Sequence, residues 1–145
     1  MKNLILFILL ACSTTLIAQS NRHEKIKALK VAHITEQLNL TTSEAEKFWP
    51  IYNASQEKMH DIRVAERKEI HGRVKKDFEG LTEVEANALI EKSLDLKRRE
   101  LKIYSELVSA LKGIIPAKKI ILLRTSEEDF KRKLLERYKN KKGKK

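Results

Sequence analysis

The sequence has few of the residues that turns and disulfides require. Among its 145 residues are four glycines, two prolines and one cysteine, and only 6% are aromatic. Sheet proteins need frequent turns, so this composition favours a mostly helical chain over a sandwich or barrel. With Cys12 as the single thiol, no disulfide can form within the chain.

The residue patterns of common active sites are also missing. The sequence contains no G-x-S-x-G elbow, no H-E-x-x-H pair and no glycine-rich phosphate loop. These patterns bring a nucleophile, a metal or a phosphate into a defined geometry. We therefore predict no enzymatic activity and no bound cofactor.

What the sequence does contain begins with an apolar leader. Residues 4–18 carry no charge, follow Met1-Lys2-Asn3 and give way to Gln19-Ser20-Asn21-Arg22. This is the pattern of a secretory signal peptide, and it is too short for a stable membrane span. We expect cleavage after Ala18, removal of residues 1–18 and a periplasmic protein. Lipoprotein processing at Cys12 and an uncleaved anchor are the alternatives.

The charge is strongly positive and unevenly distributed. The formal net charge of +11 suggests a nucleic-acid partner, but export removes that hypothesis. Without the leader the charge is +10, of which residues 131–145 carry +8 and residues 19–130 carry +2. We predict a single helical domain over 19–138 and a basic, disordered tail over 139–145. Such a tail would bind anionic membranes weakly.

Two helix-start signals recur in the mature chain. A capping box needs Ser or Thr at the N-cap and Glu or Gln three residues later. The matching residues, each box preceded by a leucine, are Leu40, Thr41 and Glu44, and Leu81, Thr82 and Glu85.

The apolar spacing predicts about four helices in an elongated antiparallel hairpin. The first covers about 22–38, and the second begins at Thr42 and continues to about Phe78, with Phe48, Trp49 and Tyr52 as an aromatic cluster. Pro50 lies inside this second helix, where proline removes a backbone hydrogen bond, so we expect a kink there.

The third helix has its apolar residues in near-heptad order. They are Ala86, Leu89, Ile90, Leu96, Leu101, Tyr104, Leu107, Val108 and Leu111. We expect Gly113 to end this helix in a left-handed cap. Pro116 then opens the fourth helix as a first-turn proline.

Histidines offer a metal hypothesis, since imidazole binds Zn, Cu or Ni. His60 and His71 are eleven residues apart, which separates them by about 16 Å along one helix. They cannot share one ion, so further ligands would come from a second helix, such as Asp95 or Glu100, or from a dimer partner. The alternative is that both are surface residues without a metal.

Basic residues follow the second and third helices. If these helices pack antiparallel, the basic residues form one partner-binding surface; otherwise they lie on solvated faces. The residues concerned are Arg63, Arg67, Arg73, Lys97, Arg98 and Arg99.

Both leucine-threonine segments resemble the L-T-x-x-Q motif of small exported helical proteins. This group contains the Spy-type chaperones, the CpxP-type envelope-stress inhibitors and heavy-metal-resistance sensors, and here Glu replaces Gln. The segments KIKALKVAHITEQLNLT, AEKFWPIYN and SEEDFKRKLLERY are similar to a Bacteroidetes-type group described as sensors of extracytoplasmic-function sigma factors. The resemblance implies an all-α protein that acts by binding proteins.

We therefore expect a non-enzymatic envelope-stress sensor that modulates a sigma-factor pathway by binding a membrane regulator. The alternatives are an ATP-independent periplasmic chaperone for unfolded clients and a periplasmic metal sensor. A homodimer is also expected if a second copy covers the far ends of the long helices.

Overall fold

The computed structural model describes the chain from residue 24 to residue 142. Its helices are α1 (24–37), α2 (Thr42–Ala65), a π-helical segment (Glu66–His71), α3 (Gly72–Lys76), α4 (Glu83–Leu111) and α5 (Ala117–Lys142). These residues contain no strand, so the all-α prediction is confirmed. The predicted signal peptide, residues 1–18, and the predicted alternative processing site at Cys12 lie outside the described residues. No helix within residues 24–142 is both long and apolar enough to cross a membrane.

Helix α1 ends in a left-handed cap, a feature that we expected instead at Gly113 after the third predicted helix. Asn39 has φ 45° and is the one non-glycine residue with positive φ in the described chain. The Leu40 amide donates to the Thr35 carbonyl at 3.1 Å and the Asn39 amide donates to the Glu36 carbonyl at 3.0 Å. These two bonds form a Schellman motif, and asparagine tolerates its left-handed residue better than most non-glycine residues.

The left-handed cap predicted at Gly113 is wrong. No described glycine has positive φ. The residues that follow α4 form right-handed turns instead. The amides of Ile114 and Ile115 both donate to the Leu111 carbonyl, at 2.9 and 3.0 Å. These bonds satisfy the Leu111 carbonyl at the end of the helix without a left-handed residue.

The second predicted helix is interrupted where its apolar pattern weakens. The α-helix stops at Ala65, six residues adopt π-helical geometry, and α3 then ends at Lys76 rather than at Phe78. No residue of the π-helical segment is buried. No core contact therefore requires this segment to keep the residue spacing of an α-helix. Pro50 lies inside α2, and the kink that we expect at it stays a prediction.

The described helices group into two compact units, one formed by α1 with α5 from Ile121 onward and the other by Thr41–Ile120. In the first unit Lys30 pairs with Glu127 at 3.7 Å, and the rings of His33 and Phe130 lie 5.7 Å apart. From the first contact to the second the residue number rises by three on each helix, so α1 and α5 run parallel.

In the second unit α2, the π-helical segment and α3 pack against α4. Four ion pairs join them: Lys58 to Glu106, Glu66 to Lys97, Glu69 to Lys92, and Arg73 to Glu85. The residue number of the first partner rises from pair to pair while that of its α4 partner falls, so the two arms of the hairpin are antiparallel. These pairs lie at the surface, and each contributes at most about 1 kcal/mol.

Aromatic and aliphatic side chains form the core of the second unit. Phe48 and Tyr52 stack with ring centroids 5.3 Å apart, and Trp49 meets both rings edge-on. The other buried apolar residues of this unit are Ile62, Leu96, Leu107, Leu111, Ile115 and Ile120. Two residues of the predicted apolar series, Ile90 and Leu101, are instead 56% and 68% exposed.

Helix α5 differs from the prediction at both ends. Pro116 precedes its first residue, and the Pro116 carbonyl accepts hydrogen bonds from the amides of Lys119 and Ile120. The helix continues to Lys142, so it includes the first four residues of the predicted disordered tail. Lysine is a good helix former and is favoured near a helix C-terminus. Residues 143–145 lie outside the described chain.

Candidate functional site

The end of the hairpin in the second unit combines a groove with exposed apolar side chains. Its connection, residues 77–82, is fixed by short-range hydrogen bonds. The Gly80 amide donates to the Asp77 carboxylate at 3.0 Å, and a Cβ on Gly80 would overlap that carboxylate. A larger residue at position 80 would therefore displace the Asp77 carboxylate from this hydrogen bond.

The capping box at Thr82 sets the start of α4 beside this turn. The Glu85 amide donates to the Thr82 hydroxyl at 3.2 Å, and the Thr82 amide donates to the Glu85 carboxylate at 3.0 Å. The same reciprocal bonds join Thr41 and Glu44 at the start of α2, at 3.2 and 2.8 Å. Both predicted capping boxes are present, because they depend only on residues three apart.

A groove of about 590 Å³ runs between the π-helical segment and the first turns of α4. Gly72 contributes no side chain to its wall, and Ala88 and Leu89 give it an apolar floor. The lining residues are Lys68, Glu69, Gly72, Arg73 and Lys76 from one side and Glu85, Ala88 and Leu89 from α4.

A π-helical hydrogen bond lies in one wall of this groove. The Gly72 amide donates to the carbonyl of Arg67, five residues earlier. A Cβ on Gly72 would lie 3.3 Å from that same carbonyl oxygen, so a larger residue would crowd the turn. Short π-helical turns are rare and recur at functional sites, which makes this segment a candidate on geometric grounds.

Two carboxylates in the groove are held in their charged form. The Arg73 guanidinium meets the Glu85 carboxylate at 2.6 Å. Hydrogen bonding from the Thr82 backbone, followed by that from Arg73, lowers the pKa of Glu85. The Lys92 ammonium, 2.8 Å from Glu69, likewise lowers the pKa of Glu69. Each of these two acids is therefore charged and paired with a cation.

The remaining cations give the groove its net charge. Lys68 and Lys76 line it, and neither makes an ion pair with any residue in the described chain. An ammonium beside an apolar floor attracts a ligand that carries both an acidic and an apolar group. The groove itself is thus suited to a ligand that carries an acidic and an apolar group, whereas Asp77, Glu79 and Glu83 make the adjoining turn acidic.

Exposed apolar side chains continue this surface past the groove. Phe78, in the connection, is 71% exposed and Val84, in the first turn of α4, is 80% exposed. Contiguous exposed apolar patches rimmed by polar residues mark protein-binding surfaces, and these two side chains are the candidates for such a patch at this end of the hairpin. Sequence reasoning placed Phe78 at the end of a helix and did not identify it as a site residue.

The residues of the predicted basic surface lie on α2, the π-helical segment, α3 and α4. Arg73 lies in the groove with Glu85, whereas Lys97 pairs with Glu66 at 3.5 Å and with Glu100 at 3.0 Å. The bond to Glu100 chiefly raises the pKa of Lys97. The other four predicted residues are exposed: Arg63, Arg67, Arg98 and Arg99. Lys97 contacts Glu66, which is close in sequence to Arg63 and Arg67, and Arg98 and Arg99 follow Lys97 along α4. A single partner surface formed by these residues stays a prediction.

The histidine candidates are both exposed, His60 on α2 and His71 at the end of the π-helical segment. Within residues 24–142 no group of three His, Cys, Asp or Glu side chains is placed to hold a metal ion. Glu100, offered as a further ligand, pairs with Lys97.

Comparisons with protein-family models, curated proteins and solved structures found no match to this chain.

Proposed function

We propose that the protein is an exported, non-enzymatic sensor that binds an envelope regulator and modulates an extracytoplasmic-function sigma-factor pathway. The hairpin end of the second unit is the binding surface, defined here as the groove together with Phe78 and Val84. Its ligand is an acidic segment of the regulator with at least one apolar anchor.

The observation that carries the proposal is the presence of exposed apolar and cationic groups at one end of the hairpin. Phe78 is 71% exposed and follows Lys76 by two residues, and Lys68 and Lys76 both line the groove. An aromatic anchor supplies binding energy, and the cations select an acidic partner and speed its association. The exported location, argued from the leader, supplies the compartment in which such a regulator would present that segment.

Co-purification from crosslinked cells tests this proposal. We expect a membrane-bound envelope regulator to be recovered with the chain, and deletion of the gene to change expression of genes under a sigma factor. Recovery of no envelope regulator, together with no change in expression, would contradict the proposal.

An ATP-independent chaperone is the second candidate, favoured by the distribution of exposed apolar side chains. Besides Phe78 and Val84, the second unit exposes Val64, Ile90, Leu94 and Leu101. Several separated apolar groups suit loose binding of unfolded clients.

Light scattering of a reduced, aggregating client protein separates the two candidates. A chaperone suppresses the scattering when present in equimolar amount, and a regulator-specific sensor does not. Suppression that is lost on substitution of Phe78 alone would place client binding at the hairpin end. Absence of suppression would remove the chaperone candidate.

A further inference from the structure

The groove at the hairpin end has the size and the lining of a small-molecule site. Lys68, Arg73 and Lys76 line it from the π-helical segment and α3, and Ala88 and Leu89 line it from α4. Its volume of about 590 Å³ lies within the range of about 300–1,000 Å³ that small-molecule sites occupy. Such sites are mostly apolar and contain a few polar groups that orient the ligand.

The π-helical turn brings the cations of the groove to one side. A hydrogen bond over five residues returns the chain to the same side after five residues rather than after three or four. Lys68 precedes Arg73 by five residues, and Lys76 follows Arg73 by three, which is less than one further α-helical turn. All three line the groove, so Arg73 has an ammonium group on each side along the helix.

Arg73 has hydrogen-bonding capacity left over. Its Nη2 donates to the Glu85 carboxylate at 2.6 Å, and in the described chain its guanidinium makes no other hydrogen bond or ion pair. A guanidinium carries several N–H donors in a planar fork, a shape that matches a carboxylate. A second carboxylate can therefore bind Arg73 while Glu85 remains in its capping box.

The surroundings of the groove select the charge of this ligand. Asp77, Glu79 and Glu83 make the adjoining turn acidic, and juxtaposed like charges disfavour a ligand. A polyanion that extends past the groove meets these carboxylates, whereas a ligand with a single carboxylate and an uncharged remainder does not. The apolar floor favours a hydrocarbon remainder, and the furrow between two packed helices fits an unbranched chain.

We propose that the groove binds a free fatty acid. The carboxylate lies at Arg73 between the two lysines, and the alkyl chain lies along Ala88 and Leu89. Hydrolysis of membrane phospholipids releases such acids, so this ligand would report damage to the envelope. Binding of the fatty acid stands on the groove alone. Its consequence, displacement of the regulator's acidic segment from the same cations, rests on the proposed function.

Calorimetric titration with sodium decanoate, kept below its micelle concentration, tests the site on the protein purified in the form that expressing cells accumulate. We expect saturable binding at a single site. Each half-covered methylene group should strengthen binding roughly twofold, so decanoate should bind about tenfold or more tightly than hexanoate. Decyltrimethylammonium, which has the same chain and a positive head group, should not bind.

Variants of the lining assign the binding to the groove. Lys68→Gln combined with Lys76→Gln should weaken decanoate binding about tenfold or more. Lys47→Gln combined with Lys75→Gln makes the same charge change at exposed residues that do not line the groove, and should have little effect. Ala88→Phe fills the floor and should remove binding without changing the charge. All these residues are exposed, so circular dichroism should give the same helix content for every variant.

The displacement is tested in cells. Decanoate added before crosslinking should reduce the recovery of the regulator with the wild type. If no regulator is recovered without decanoate, the proposed function fails while the calorimetric result still stands. No saturable binding of decanoate, equal binding of decyltrimethylammonium, or equal losses for the two double variants would overturn the fatty-acid site. Undiminished recovery of the regulator at a saturating decanoate concentration would overturn the displacement.

Discussion

Replacing Phe78 with serine should remove partner binding without unfolding the protein. The ring is 71% exposed, so its loss leaves the core intact, and surface substitutions of this kind change stability by less than about 0.5 kcal/mol. The effect on binding should be much larger, because the same ring is the most exposed aromatic anchor of the hairpin-end surface.

The exposed area sets the magnitude. A phenylalanine side chain offers about 200 Å², of which 71% is open to solvent. A partner that covers half of this open area gains about 2 kcal/mol at roughly 25 cal/mol per Å². Loss of that term raises the dissociation constant about twenty- to thirtyfold.

The assay is quantitative co-purification of the crosslinked partner with wild type, Phe78→Ser and Ile121→Ser. Ile121 is a matched control, since it is 77% exposed and belongs to the first unit. We expect at least a tenfold loss of partner for Phe78→Ser and none for Ile121→Ser. Equal losses for the two variants would indicate general apolar adhesion, and no loss for Phe78→Ser would refute the reasoning.

Three further predictions concern stability and are measured by urea unfolding. Thr82→Ala should cost about 1 kcal/mol through the lost cap, whereas Thr125→Ala, at an exposed site within α5, should not destabilise. The pKa of Glu44 is lowered below 4.5, chiefly by the hydrogen bond from the Lys119 ammonium at 2.7 Å. The stability that the charged Glu44 carboxylate contributes is therefore present above that pH and lost as the pH falls further. Because Glu44→Gln has no such carboxylate, this variant should lose less stability than the wild type between about pH 6 and pH 3. Phe48→Ala should cost about 4 kcal/mol because the ring is fully buried, whereas Phe78→Ala should change stability little.

The features that the sequence predicted correctly are local ones. The boxes at Thr41 and Thr82 need only two residues three apart, and the structure contains both. The end of α1 near Asn39 was also predicted, but the left-handed residue was assigned to Gly113. Glycine permits positive φ without requiring it, so its presence after a helix does not fix the cap.

The features that the sequence could not supply depend on contacts between distant residues. Near-heptad order placed Ile90 and Leu101 in one apolar series with the buried residues of α4, yet one helix cannot show which of its apolar faces has a neighbour. The groove likewise depends on α4 lying beside the π-helical segment. A weakening apolar pattern near Glu66 and Glu69 was the one available signal for that segment, and it does not distinguish a π-helix from an exposed α-helix.

Site-specific photo-crosslinking from the hairpin end tests the central claim most directly. A benzophenone amino acid at Val84, which is 80% exposed, should give one dominant adduct in living cells, and the captured protein should be an envelope regulator. The adduct should weaken when Lys68 and Lys76 are both changed to Glu, and it should not form from the same probe at the exposed Arg124 of the first unit. No adduct from Val84, a broad mixture of adducts, or the same adduct from Arg124 would contradict a regulator-binding surface at the hairpin end.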